Sequence, residues 1–123
     1  MRLDRVVTFL LTANAEKCVP FYQDVLGFRF LRDDGFALVF DLHGTMLRMG
    51  KVADFTPAQN TVLGWGVKDM AAAVAELAGK GVTFERYPGM RQDSDAVATF
   101  PTGDKVAWFK DPDGNVLSLS QHV

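Results

Sequence analysis

The chain has 123 residues, 48% of them hydrophobic, a formal net charge of −2 and a single cysteine, Cys18. That is enough for one domain to bury most of a core without staples, and one cysteine excludes an intrachain disulfide framework. The charge gives no electrostatic footprint for nucleic acid, the apolar stretches fall short of the roughly 20 residues that cross a bilayer, and no basic, apolar signal segment opens the sequence. The expectation is a cytoplasmic protein whose partner is a small organic ligand or another protein, with no nucleic acid and no membrane.

Residues 6–11 are an apolar run without polar alternation, which predicts a strand covered on both faces. Asn14 is placed to cap a helix over 16–26, with Gly27 as its left-handed stop. Pro20 interrupts that helix, because an interior proline loses one backbone bond. Phe21, Val25 and Leu26 are then expected to face the sheet. Strands follow at 28–31, 36–42 and 45–49. The turn between the last two is His43-Gly44, a two-residue loop of the kind that requires positive φ.

Residues 51–60, with Pro57, read as a linker. A strand at 61–67 is broken by Gly64 and Gly66, which permit close approach of backbone or ligand. Asp69 caps a helix in which Met70, Ala73, Val74 and Leu77 share one face. Residues 82–86 are read as a strand and 87–95, with Pro88 and Gly89, as a loop. Strands at 96–100, 105–110 and 116–121 complete the chain.

The two halves echo each other: Asn14 maps onto Asp69, Gly27 onto Gly81, and Asp41-Leu42-His43-Gly44 onto Asp111-Pro112-Asp113-Gly114. Repeats of this length are units that cannot bury their apolar faces alone. Each half reads as β-α-β-β-β, the second with an additional stretch, 82–86, between its helix and its last three strands.

Two stretches, Phe21-Tyr22-Gln23-Asp24-Val25-Leu26-Gly27-Phe28 and Trp108-Phe109-Lys110-Asp111-Pro112-Asp113-Gly114-Asn115, resemble those of the glyoxalase, bleomycin-resistance and extradiol-dioxygenase group, the vicinal oxygen chelate superfamily. The resemblance covers essentially the whole chain. It implies an α+β fold: a single domain over 1–123, with module one at about 1–50 and module two at about 61–123, paired to form a curved mixed sheet around a cleft. It also implies a homodimer, since small members usually complete the cleft with a second chain. Some members chelate a metal for catalysis and others bind drugs, so the cleft residues must decide between them.

In metal-using relatives the ligands, mostly His and Glu, lie on the first and last strands of each module. The matching positions here are Val7, Arg48, Val62 and Ser118. Valine has no donor atom, arginine does not deprotonate, and a lone serine hydroxyl is a poor ligand. No metal and no cofactor is expected. With a two-residue turn, Leu42 opposes Thr45, Asp41 opposes Met46 and Val39 opposes Arg48, so Asp41 and Arg48 sit diagonally on one face. A four-residue turn at 111–114 pairs Lys110 with Asn115 and Ala107 with Ser118. It sends Phe109 and Ser118 to the cleft, with Trp108 and Leu117 toward the helix. Phe9 and Leu11 share the face of Val7.

The expected ligand site is therefore Arg48, Asp41, Val7, Phe9, Val62, Phe109 and Ser118, an apolar pocket suited to an organic ligand with an anionic or carbonyl group. Asp41 and Arg48 also read as a structural pair closing the hairpin. His43 reads as a turn residue, His122 as a surface residue, Trp65 and Trp108 as core, and Cys18 lacks a histidine base. The first functional reading is a metal-independent binding protein of the bleomycin-resistance type. The alternative is a glyoxalase-like lyase, isomerase or dioxygenase, either metal-dependent through unexpected ligands such as His43, Asp41 and His122 or metal-free with Asp41 as base and Arg48 as clamp. A third is an interaction module whose cleft a partner closes.

Overall fold

The computed structural model describes residues 1–123 and divides into two compact units, Met1–Thr56 and Pro57–Val123. In the first, β1 (Val7–Thr12), α1 (Ala15–Pro20), a π-helical turn (Phe21–Val25), β2 (Arg29–Asp33), β3 (Ala37–Leu42) and β4 (Thr45–Lys51) follow in order. Its sheet runs β1-β4-β3-β2, with β1 parallel to β4 and the other neighbours antiparallel. In the second, β5 (Thr61–Gly66), α2 (Met70–Gly79), β6 (Ala98–Thr99), β7 (Lys105–Lys110) and β8 (Val116–Gln121) give the matching order β5-β8-β7-β6. The α+β class and the β-α-β-β-β repeat are present as two open, mixed, four-stranded sheets. Neither helix is long and apolar enough to cross a membrane.

The first helix departs from its sequence reading at both ends. Asn14 makes no capping bond with its side chain; its amide donates to Thr12 Oγ1 (3.1 Å) and its carbonyl accepts from Lys17 and Cys18. After Pro20 the α-helix gives way to a wider turn, closed by the Leu26 amide on the Phe21 carbonyl (3.0 Å). Pro20 stands in the last turn of α1, where it supplies no N–H to the helix. Gly27 ends the segment at φ 79°, as expected. The wider turn changes which residue points inward. Tyr22 is fully buried, whereas Phe21, Val25 and Leu26 are only partly covered. The Tyr22 ring meets Phe40 at 5.4 Å, and Phe40 meets Phe30 at 5.3 Å. Together with Cys18, Leu38, Leu47 and Met49 they form the core on the helix side of the first sheet.

In the second unit α2 packs on β7 and β8, burying Met70, Val74 and Leu77. Gln121 fixes its approach by accepting the Met70 amide at 2.7 Å. Residues 82–86 do not form the expected strand. One backbone bond, from the Glu85 amide to the Trp108 carbonyl (2.8 Å), reaches β7, while the Glu85 carbonyl accepts the Gln92 side-chain amide (2.9 Å) instead of a strand partner. Gln92 also donates to the Ala96 carbonyl and accepts the Tyr87 amide, ordering the aperiodic loop from within.

Asp69 does cap α2, accepting the Ala72 amide at 3.1 Å. Asp69→Ala should therefore lower the stability of the protein by about 1 kcal/mol, the usual worth of such a cap. Asn14→Ala, which removes no capping bond, should change it by a few tenths at most. Urea unfolding of the two variants checks the contrast, and equal losses would refute it.

Candidate functional site

In the first unit the hairpin register is as the sequence predicts: Leu42 opposes Thr45, Asp41 opposes Met46 and Val39 opposes Arg48. The turn residues His43 (φ 52°) and Gly44 (φ 101°) both take positive φ. His43 packs its ring on Phe28 at 5.0 Å, which makes it part of the turn. The parallel pairing of β1 with β4 sets Val7 beside Met46 and Phe9 beside Arg48 on the face away from the helix. That face is partly open. Val7, Phe9 and Leu11 are 38%, 69% and 42% exposed, so β1 is covered on one side only, contrary to the expected two, while Val39 on β3, one strand beyond β4, is buried.

The expected diagonal pair of Asp41 and Arg48 does not form. Arg48 Nη2 instead meets Asp34 Oδ2 at 2.8 Å, and Asp41 Oδ1 accepts the Gly44 amide at 2.7 Å. Both acids are held by their own turns, since Asp34 also takes the Phe36 and Ala37 amides. The open feature of this face lies beside them: a groove of about 370 Å³ lined by Arg5, Arg29, Leu31, Asp41 and Met46 among others. The ion pairs of this unit are Arg2 with Asp4, Arg48 with Asp34 and Lys51 with Asp33, which leaves the guanidinium groups of Arg5 and Arg29 available to an incoming anion. Sequence reasoning missed Arg29. The alternation Phe28-Arg29-Phe30 carried the signal, because Phe30 pairs with Phe40 in the core and Arg29 must then share the face of Asp41.

In the second unit the hairpin register is one residue away from expectation. Trp108 opposes Ser118, Phe109 opposes Leu117 and Ala107 opposes Leu119. The turn takes five residues, 111–115, because the Asp111 amide donates to the Asn115 carbonyl and the Asn115 side chain is drawn in to Asp111 Oδ2 at 2.9 Å. A one-residue shift exchanges the faces of a strand. Phe109 thus leaves the expected site for the helix side, fully buried between Trp65 (6.5 Å) and Phe84 (5.6 Å). Trp108 takes its place beside Ser118, edge-on to Tyr87 at 5.4 Å. With Met90, Thr61 and Val116 these rings line a groove of about 350 Å³. Burial there pushes the Tyr87 phenol up from its ordinary value. Ser118 is buried against Gly64, where a Cβ would stand 2.5 Å from its hydroxyl, and Val62 sits exposed at an irregularity in β5.

The donor set does not suit a divalent metal. Val7, Arg48, Val62 and Ser118 occupy the four positions, and no three His, Cys, Asp or Glu side chains come together within either unit. Cys18 is buried in the core. His122 is exposed and contacts Ser120 and Asp104.

The Arg48 guanidinium, helped by the Phe36 and Ala37 amides, holds the Asp34 carboxyl down at about 2. A lowered folded value means that the contribution to stability is present above the ordinary carboxylate value and lost as pH falls through the folded one. Thermal unfolding should therefore show a loss of stability between about pH 4 and pH 2 that is smaller in Asp34→Asn. Identical acid profiles would show that the pair contributes nothing.

The sequence profile of the Glyoxalase/Bleomycin resistance protein/Dioxygenase superfamily matches residues 2–119. No curated protein matches the chain. Among solved structures, a member of that superfamily from Sphaerobacter thermophilus is 24% identical with a TM-score of 0.73, the match covering 98% of both chains. A glyoxalase/bleomycin resistance protein/dioxygenase from Nocardioides is 17% identical with a TM-score of 0.73, covering 100% of this chain and 85% of that one. A lactoylglutathione lyase from Agrobacterium tumefaciens is 18% identical with a TM-score of 0.72, covering 96% and 92%. At such identities the likeness speaks to fold. With its repeated β-α-β-β-β units and a family match over nearly its whole length, the chain belongs to the glyoxalase/bleomycin resistance protein/dioxygenase superfamily.

Proposed function

We propose that the protein binds a small organic anion on the open face of its first unit, without a metal ion, as the bleomycin-resistance branch of the superfamily does. The observation that carries this reading is the groove in which Arg5 and Arg29 stand beside Leu31 and Met46. Guanidinium groups grip a carboxylate, sulfonate or phosphate through planar, paired donors. Apolar side chains next to them reward a ligand whose body is hydrophobic. Val7 and Phe9 extend that surface along β1, and Arg48, still 30% exposed, can share an anion with Asp34. Val62 and Ser118 would belong to a matching surface on the second unit, where Trp108 stands in for Phe109. The glyoxalase-like alternative is less well supported, because Asp41, its candidate base, already accepts a backbone amide in its turn.

The fluorescent aromatic sulfonate 8-anilinonaphthalene-1-sulfonate has the chemistry this site calls for. Its affinity should fall roughly 10- to 100-fold in Arg29→Ala, corresponding to about 1.5 to 3 kcal/mol for a hydrogen bond to a charged group. Added EDTA should leave it unchanged, and the melting temperature should hold. Affinity indifferent to Arg29, or abolished by the chelator, would count against the proposal.

A homodimer in the cytoplasm belongs to the same reading, a twofold partner covering the exposed row of Val7, Phe9 and Leu11 on the edge strand β1. Light scattering should give twice the chain mass of 13.6 kDa. A concentration-independent monomer would remove the dimer from the proposal.

A further inference from the structure

A separate constellation lies at the carboxyl end of the second unit. Ser120 Oγ stands 3.0 Å from His122 Nε2, and His122 Nδ1 stands 3.2 Å from Asp104 Oδ2. A carboxylate only accepts, so Nδ1 carries the imidazole proton and Nε2 is left as the acceptor for the serine O–H. That is the order of roles in an activated serine nucleophile: hydroxyl, base, and an acid that orients the base. The third member is itself fixed. Asp104 Oδ1 accepts the Val123 amide at 2.9 Å, and the turn before β7 is closed by the Phe100 amide on the Asp104 carbonyl and the Gly103 amide on the Phe100 carbonyl. The site is accessible, with the His122 side chain 65% exposed. Beside Ser120 on the parallel strand is Gly66, which puts no side chain over the hydroxyl.

We propose that Ser120, His122 and Asp104 form a nucleophilic site that hydrolyses small activated esters. In the first step the Ser120 proton passes to His122 Nε2 while Oγ bonds to the ester carbonyl carbon. The bond from that carbon to the leaving oxygen breaks, and the leaving group departs with the proton from Nε2. Water then adds to the acyl-serine, giving one proton to Nε2. The bond between Oγ and the acyl carbon breaks, Oγ recovers the proton, and the balance is ester plus water to acid plus alcohol. Ser120 and His122 are the catalytic residues, and Asp104 is a positioning residue. The open strand face suits esters of small acids with good leaving groups, which need little further stabilisation of the departing oxygen.

The test uses the full chain, p-nitrophenyl acetate and a fluorophosphonate probe. A solvated imidazole attacks p-nitrophenyl acetate unaided, so the decisive variant is Ser120→Ala with His122 intact. It should lose on the order of 100-fold in kcat/KM, the lower range for acid–base assistance. His122→Ala should lose as much. Asp104→Asn should lower kcat with KM and melting temperature unchanged, which a purely structural role would not produce. Peptide mapping should place the fluorophosphonate adduct on Ser120 in the wild type. Turnover that survives in Ser120→Ala, or a wild type with no adduct on Ser120, overturns the proposal and leaves the three residues as a clasp holding the chain end against the turn before β7.

Discussion

The surface of the second unit depends on one buried carboxylate. Asp111 is 5% exposed and accepts the Asp113 amide (2.9 Å), the Asn115 amide (3.0 Å) and the Asn115 side-chain amide (2.9 Å). These three donors on one buried carboxylate fix the conformation of the turn between β7 and β8. A strand has period two, so the length of that turn decides which of two sets of side chains is shown on each face. Through this one turn Phe109, Leu117 and Leu119 are committed to the helix and Trp108 and Ser118 to the other side. The aromatic groove with Tyr87 and Met90 exists because of that choice.

The same use of acids recurs in the first unit and sets the charge of its open face. Asp34 and Asp41 bind backbone amides of their own turns, and Asp34 further neutralises Arg48. A carboxylate oxygen engaged in this way is less free to take up a proton or a metal ion, and the Arg48 guanidinium holds the Asp34 carboxyl well below the usual carboxylate range. The cations are treated differently. Arg5 and Arg29 line a groove with apolar neighbours, so the face has more positive charge to offer than its turns consume. The proposed preference for an anionic ligand rests on how the turns are built.

Membership of a superfamily with several chemistries fixes scaffold before activity. Both units of this chain present the same sheet order, yet one face carries guanidinium groups beside aliphatic residues and the other carries Trp108, Tyr87 and a serine row that ends at His122. The two surfaces thus differ in chemistry on a common frame.

The sequence by itself determined the α+β class, the repeat, the superfamily and the first hairpin, because these rest on local rules: hydrophobic period, Gly27 at positive φ, and a two-residue turn whose length admits one register. The cap at Asp69 was legible for the same reason. Tertiary structure alone decided the rest. After Pro20 the expected α-helix continues as a π turn, and Tyr22 packs on Phe40. At 82–86, where a strand is expected, the Glu85 carbonyl instead accepts the Gln92 side chain from across a loop. Asp34 reached Arg48 before Asp41 did, Asn115 joined its turn through its side chain, and Asp104 met His122 from a distant turn. Apart from the Asn115 contact within its own turn, these are contacts between groups that sequence spacing does not bring together. Capture of a polar group by one partner rather than another depends on distances that exist only once the chain has folded.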